Sequence, residues 1–284
     1  MRVTFLGTGS SHGIPIIGCT CRVCVSTNPK NRRNRTGIWL HEGTQYAGQD
    51  LTDQGRANAG DAIRARAVDG DVGRSGIIDV SNEFRGAALQ NGLKRLDFVL
   101  LTHAHSDHVS GLDDLRIFSQ VSGRAMPLYA DAHTLGDIQA RFAYAFHPAK
   151  QYGGGKPQYE LREVSGPFQA AGWNIVPLPI LHGPEPILGY RIGNFAFITD
   201  VTHIPDSTIA LLDGVDVLAL DCLRPQPHST HLSLDQAVAY ANRIRAKRTF
   251  FIHMTHDLDH ADMEGMLPPE IRPAYDGLTV EIED

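Results

Sequence analysis

Residues 102–111 read THAHSDHVSG and contain the densest group of metal-ligating side chains in the sequence. His103, His105, Asp107 and His108 fall within six positions there. In a chain that has just left a strand, side chains two positions apart converge on one point, and the following ones reach a second point close by. His-x-His-x-Asp-His therefore predicts two adjacent divalent ions, because imidazole and carboxylate groups are common ligands of such metals.

Three further candidate ligands each follow an apolar run that predicts a strand. They are His182 after NIVPLPIL, Asp200 after FAFIT and His253 after RTFFI. Together with the histidine cluster they complete a two-metal set. We assign one metal to His103, His105 and His182, the other to Asp107, His108 and His253, and a bridging position between them to Asp200. The predicted metals are zinc or manganese.

The elements that position these residues alternate along the chain, which predicts an α/β fold. Short apolar runs predict strands at 3–6, 37–40, 76–80, 97–102, 126–130, 174–180, 195–199, 215–220, 248–252 and 278–282. Amphipathic segments predict helices at 83–91, 111–119, 131–142, 205–212 and 234–245. A capping box formed by Ser233 and Gln236 opens the last of these helices.

We predict that residues 1–284 form a single domain with one polar insertion at about 44–74. The insertion is rich in glycine and charged residues, so it contributes little to a hydrophobic core. It separates two strand-like runs that would otherwise form a hairpin. A solvated loop, an active-site flap and an oligomer contact are the interpretations that the sequence leaves open.

The order of these motifs resembles the metallo-β-lactamase superfamily, whose fold is a four-layer αβ/βα sandwich. FLGTGSSHGIPIIGCTCRVC, LTHAHSDHVSGLDDLR and IHMTHDLDH are similar to its phosphodiesterase branch, typified by the phosphoribosyl cyclic phosphate phosphodiesterase of the carbon–phosphorus lyase pathway. This resemblance implies a dinuclear hydrolase that cleaves a phosphodiester in a small nucleotide-like or cyclic phosphate substrate. It also implies a homodimer.

The resemblance assigns roles to residues outside the ligand set. It implies that His231 is the general acid that protonates the departing oxygen, with His228 as a weaker candidate. It implies that Asp79 orients the histidine turn, although this chain reads DVSN where many relatives have Asp-Thr-Gly or Asp-Ala-Gly. Asp107 is predicted to act in catalysis as well as in metal binding.

Cys19, Cys21 and Cys24 supply three thiolates, which is one ligand short of a tetrahedral zinc site. The resemblance points to His256 as the fourth ligand and so predicts a structural zinc. His12, His260 and Cys222 also stay open as fourth ligands, and Cys222 otherwise fits a buried apolar position. The nearby basic residues at 30–35 fit either a solvated loop or a phosphate contact.

Composition and net charge bear on the competing functions and on the location of the protein. The 26 basic and 32 acidic residues give a net charge of −6, which disfavours the RNA-processing nuclease of the transfer-RNA 3′-end type and nucleic-acid partners generally. Without a visible leader or long apolar run, we expect a cytoplasmic protein that makes no membrane contact. A thioester or lactam hydrolase, which needs no acid at His231, and a non-catalytic carrier in cofactor biosynthesis also stay open.

Overall fold

The structure is a computed structural model that describes residues 1–42, 73–147 and 155–283. Its strands are β1 (Arg2–Gly7), β2 (Gly37–His41), β3 (Ser75–Ile78), β4 (Phe98–Leu100), β5 (Met126–Ala130), β6 (Tyr159–Glu163), β7 (Phe168–Ala170), β8 (Trp173–His182), β9 (Glu185–Ile192), β10 (Phe195–Ile198), β11 (Val217–Asp221), β12 (Arg248–Ile252), β13 (Ile271–Pro273) and β14 (Thr279–Glu281). Its α-helices are α1 (Phe84–Gln90), α2 (Ser106–Val109), α3 (Arg116–Ser122), α4 (Ala132–Arg141), α5 (Ala143–Phe146), α6 (Asp206–Leu211), α7 (Leu234–Ile244) and α8 (His260–Met266). Short 3₁₀ turns occur at Pro29–Asn31 and Leu112–Leu115.

The strands form two seven-stranded sheets that share one pattern. The first has the order β14-β1-β2-β3-β4-β5-β6, and the second, read from its other edge, has the order β7-β8-β9-β10-β11-β12-β13. Along both orders, antiparallel pairs come first and parallel pairs follow. The two sheets therefore have the same architecture, although the sequence shows no internal repeat.

Three apolar clusters hold four layers together. Between the sheets, Phe5, Phe98 and Phe197 are buried, and the rings of Phe5 and Phe250 pack with centroids 5.7 Å apart. A second cluster lies between the first sheet and its helices, and a third lies between the second sheet and α7. Burying a large apolar side chain stabilises the fold by roughly 1.5–3 kcal/mol, so both faces of each sheet contribute. The predicted four-layer αβ/βα sandwich is confirmed.

Hydrogen bonds between the sheets support the segment that leads into the histidine cluster. The buried hydroxyl of Tyr190 on β9 donates to the carbonyl of Leu101 at 2.8 Å. The backbone N–H of Leu188 donates to the carbonyl of Thr102 at 3.2 Å. The second sheet thus fixes the position of residues contributed by the first.

The predicted strands and helices are present, but β6, β7, β9 and β13 were missed. In β9, Gly189 reads as a strand breaker in the sequence. A Cβ atom at this position would lie 2.7 Å from the carbonyl oxygen of Phe197, so the close approach of β9 to β10 requires glycine.

The strands on either side of the predicted insertion, β2 and β3, pair antiparallel as a hairpin would. The insertion itself lies outside the described residues except at its end. Among the described helices, none combines the length and apolar character needed to span a bilayer.

Candidate active site

Strand ends bring the predicted site residues to one edge of the sandwich. His103 follows β4, His182 is the last residue of β8, and His253 follows β12. Asp79, Asp200 and His253 have the left-handed backbone conformation, with φ values of 60°, 54° and 58°. This conformation is strained for residues other than glycine, and such strain is concentrated at functional sites.

The predicted ligands form two groups that share one carboxylate. In each group the ligand atoms all lie within 4.8 Å of one another. One group contains His103, His105, His182 and Asp200, and the other contains Asp107, His108, Asp200 and His253. The grouping and the shared Asp200 match the assignment made from the sequence. The structure therefore brings together all seven residues in an arrangement that could hold two cations.

Asp79 orients two of the imidazole rings. Its carboxylate accepts hydrogen bonds from Nδ1 of His108 at 2.7 Å and from the Thr102 hydroxyl at 2.8 Å. Because that hydroxyl donates to Asp79, it accepts from Nδ1 of His103, at 3.0 Å. Both rings therefore carry a proton on Nδ1 and direct Nε2 into the group of ligand atoms, which is the nitrogen that binds a metal when it is unprotonated.

Nε2 is also the nitrogen available to a cation in the other histidines of the site. Nδ1 of His182 donates to the carbonyl of Thr230 at 2.8 Å, which leaves Nε2 as its ligand atom. The Nε2 atoms of His103, His108 and His253 are buried and have no hydrogen-bond partner among the described residues. Buried polar atoms normally have a partner, so these nitrogens fit metal ligation.

Electrostatics at the site also favour bound positive charge. Burial lowers the pKa of His103 and His182, which keeps both imidazoles neutral. Burial opposes protonation of His108 as well, but the carboxylates of Asp200 and Asp107, together with Asp79, outweigh it and raise its pKa.

Neighbouring charges also shift the pKa values of the two carboxylates and of His253. The pKa values of Asp107 and Asp200 are lowered, because neighbouring histidines outweigh burial. The pKa of His253 is raised, since the pull of Asp200 and Asp107 exceeds the effect of burial. Divalent ions would supply the positive charge that these buried carboxylates require.

His231 lies beside the two groups and is joined to them by a residue that sequence reasoning missed. Its Nε2 is 3.9 Å from Asp200, while its Nδ1 is 3.4 Å from the carboxylate of Asp221. Asp221 is fully buried, accepts from the N–H of Leu232 at 2.9 Å, and lies 3.6 Å from Nδ1 of His253. It ends the run VDVLALD, so the strand-end rule that identified Asp200 could have found it.

The three clustered cysteines meet His256 in a separate group. Nδ1 of His256 lies 3.3 Å from Sγ of Cys19, 3.4 Å from Cys21 and 3.5 Å from Cys24. The backbone N–H of Cys24 donates to Cys21 and lowers the pKa of that thiol to about 7. Three thiolates and one imidazole are a ligand set that suits zinc, which prefers tetrahedral coordination.

The competing fourth ligands lie elsewhere in the structure. Cys222 is buried in the apolar cluster beneath the second sheet, as expected for an apolar position. His260 lies 3.2 Å from Glu264, and neither it nor His12 belongs to the cysteine group among the described residues. Burial of Cys24 raises the pKa of its thiol to about 11, so a cation is needed to hold it as thiolate.

Arg33 fits neither interpretation of the basic run. It is 2% exposed, and its guanidinium donates to the carbonyls of Thr255 at 2.8 Å and Leu258 at 2.7 Å. Burial lowers its pKa to about 10, which leaves it a cation at neutral pH. Arg33 thus fixes the loop that carries His256, three residues beyond His253.

A four-layer sandwich with two histidine and carboxylate groups at one edge defines the metallo-β-lactamase class of hydrolases. The family model for the β-lactamase superfamily domain matches residues 76–254. The chain belongs to this superfamily, and the predicted branch is confirmed by its similarity to the PhnP family.

Three similar proteins illustrate the relationship. The crystal structure of a diphosphatase from the PhnP family is 36% identical, with a TM-score of 0.81, over 99% of this chain and 97% of that one. An octanoyltransferase of Porphyromonas gingivalis is 36% identical over the whole chain, which spans only 52% of that relative. A ribonuclease Z of Mycobacterium bovis is 30% identical over 69% of this chain and 79% of its own length.

Proposed function

We propose that this protein is a metal-dependent phosphodiesterase acting on a small nucleotide-like or cyclic phosphate substrate. The observation that carries the proposal is His231, whose Nε2 faces the shared carboxylate of Asp200 while its Nδ1 faces Asp221. A histidine supported in this way is placed to donate a proton beside the metal groups. The similarity to a PhnP-family diphosphatase along nearly the whole chain supports hydrolysis at phosphorus.

In this proposal the two groups would hold one divalent ion each, zinc or manganese, and Asp200 is the carboxylate that both groups share. When bound, such ions supply Lewis acidity and activate water for attack at phosphorus. Asp107 would contribute to catalysis by helping to hold the second ion, and its carboxylate lies 3.4 Å from Nε2 of His108. Asp79 holds the Nδ1 proton of His108 directly and that of His103 through the Thr102 hydroxyl, and so aims Nε2 of both rings at the position of a bound ion.

His231 protonates the leaving oxygen from Nε2. The carboxylate of Asp221 stabilises the protonated ring through Nδ1 and fixes its orientation, as second carboxylates commonly do for catalytic histidines. Proton donation is needed most when the departing group is a poorly acidic alcohol. Hydrolysis of a thioester gives His231 no comparable task, because a thiolate leaves without a proton, so a placed acid supports a phosphodiester over a thioester.

Hydrolysis of bis(p-nitrophenyl) phosphate and 2′,3′-cyclic nucleotides, with zinc- or manganese-loaded protein, tests this function. We expect wild-type turnover, and a loss of about 10²–10⁴-fold in His231→Ala on the cyclic nucleotide with unchanged metal content. His133→Ala is the matched control, because His133 is exposed on α4. Turnover retained in His231→Ala would remove that residue from the mechanism.

Other substrates distinguish the competing functions in the same assay. Activity restricted to a thioester or a β-lactam would replace the phosphodiesterase proposal with a lactamase-type function. Cleavage restricted to transfer-RNA precursors would favour a ribonuclease function, which the similarity to ribonuclease Z also suggests. Full metal loading without turnover of any of these would favour a carrier role.

The proposal includes a structural zinc held by Cys19, Cys21, Cys24 and His256. Backbone N–H groups already donate to two of the sulfur atoms, which stabilises thiolate. We expect Cys19→Ser to bind one equivalent of zinc less than wild type, whereas Cys222→Ser binds the same amount. Equal zinc content in Cys19→Ser would overturn this site.

A homodimer remains part of the proposal, and sedimentation equilibrium tests it.

A further inference from the structure

His228 is a half-buried histidine beside the proposed acid that has no role in the mechanism so far. The rings of His228 and His231 lie with their centroids 5.2 Å apart. The backbone N–H of Thr230 donates to Nδ1 of His228 at 3.3 Å. Because Nδ1 accepts, the proton of the neutral ring lies on Nε2, on the opposite edge from Thr230.

The loop that carries both histidines is anchored to the metal groups. Thr230 donates to His228 with its N–H and accepts from Nδ1 of His182 with its carbonyl at 2.8 Å. Arg224 donates to the carbonyls of Gln226 and Pro227 at 3.4 and 3.1 Å, which closes the loop on itself. The Nε2–H of His228 is therefore held at a fixed position relative to the site.

We propose that His228 donates a hydrogen bond from Nε2 to a second oxygen of the leaving group, while His231 protonates the first. This inference rests on the proposed function and adds His228 as a residue that distinguishes leaving groups within it. With rings 5.2 Å apart and hydrogen bonds of about 2.8 Å, the two donors reach oxygens a few bonds apart on one small molecule. A sugar-type alcohol of the substrate class already proposed offers such a second oxygen to His228, whereas an aryl or simple alkyl alcohol does not.

Two cyclic phosphates with the same five-membered ring test this directly. A 2′,3′-cyclic nucleotide leaves a sugar hydroxyl with further oxygens nearby, whereas ethylene phosphate leaves an alcohol that lacks them. In His228→Phe the ring shape is kept and the N–H is lost. We expect kcat/KM to fall about tenfold on the cyclic nucleotide, the effect of one hydrogen bond, and to change less than twofold on ethylene phosphate.

His228→Gln supplies an amide N–H at similar reach, so it should recover most of the activity on the cyclic nucleotide. Equal losses on both substrates would mean that His228 only supports His231, and would overturn the inference. So would unchanged activity of His228→Phe on the cyclic nucleotide, or a wild type that prefers ethylene phosphate. If the wild type cleaves neither these substrates nor bis(p-nitrophenyl) phosphate, the proposed function fails and this inference fails with it.

Discussion

Asp79 lies outside both groups of ligand atoms, yet it determines which nitrogen of His108 carries the proton. Its Oδ2 accepts from both His108 and the Thr102 hydroxyl, while its Oδ1 accepts from the backbone N–H of Thr102. The histidines and Asp79 thus form one hydrogen-bonded unit. The chemistry of the site depends on this unit as much as on the ligands themselves.

Asp79→Asn should weaken metal binding by about 10–100-fold while the fold is retained. The amide N–H₂ would face Nδ1 of His108 and force the ring proton onto Nε2, where a metal ion has to bind. Metal content after equilibration at a fixed free-metal concentration measures the effect, with circular dichroism as a check on folding. Asp97→Asn is a control that leaves the histidines untouched. Full metal occupancy in Asp79→Asn would contradict this role.

Asp221→Asn should lower kcat by about 10–100-fold, and more for alkyl than for p-nitrophenyl leaving groups. The amide no longer stabilises positive charge on His231, and weak leaving groups depend most on that proton. Steady-state kinetics on substrates of graded leaving-group pKa give the comparison. Asp213→Asn, on an exposed turn, serves as the control. A uniform loss for every leaving group would assign Asp221 to His253 and metal binding alone.

The element that joins the cysteine group to the active site is the loop after β12. His253 faces the active site from one end of this loop and His256 faces the cysteines from its middle. The buried cation of Arg33 holds the loop through two carbonyl groups. Displacement of the loop therefore affects both groups at once.

Arg33→Met should destabilise the protein by about 2–3 kcal/mol, because the carbonyls of Thr255 and Leu258 lose charged donors in a buried place. Urea unfolding of the metal-loaded protein measures the change in the free energy of unfolding. Arg32→Met is a close control, since Arg32 is exposed and should change stability by less than about 0.5 kcal/mol. Similar losses for both variants would show that Arg33 is not specifically bound.

At this scale, the sequence predicted well the strands that carry candidate ligands, because continuous apolar runs such as RTFFI mark strands buried on both faces. It also predicted which candidate ligands lie close together, since side chains at strand ends meet at one edge. It missed β9, whose glycine is required by packing against β10, and packing is a property of the folded molecule. Asp221 also ends an apolar run, but its role depends on contacts with His231 and His253 that exist only in the folded chain.

At the scale of the whole molecule, the metal groups lie where the two sheets meet. His103 and His108 follow strands of the first sheet, whereas His182, Asp200 and His253 follow strands of the second. Bound ions would therefore crosslink the two halves of the sandwich.

Removal of metal with EDTA should lower the melting temperature, and restored metal should raise it again. A ligand that binds only the folded state at 100 times its Kd adds about 2.7 kcal/mol of stability. Differential scanning fluorimetry at several free-zinc concentrations tests the expected dependence. In Cys19→Ser, the increase in melting temperature that comes from metal bound at the active site should remain. A melting temperature independent of metal would exclude binding coupled to folding.

The left-handed strand ends at Asp79, Asp200 and His253 have a consequence for laboratory evolution. Each conformation costs on the order of 1–3 kcal/mol for a residue other than glycine. Glycine at Asp200 would relieve that strain and remove a buried carboxylate, so without metal this variant should resist heat better than the metal-free natural chain. A library screened for thermal resistance in the presence of a chelator, without selection for turnover, would enrich glycine at Asp200 and discard the catalytic centre.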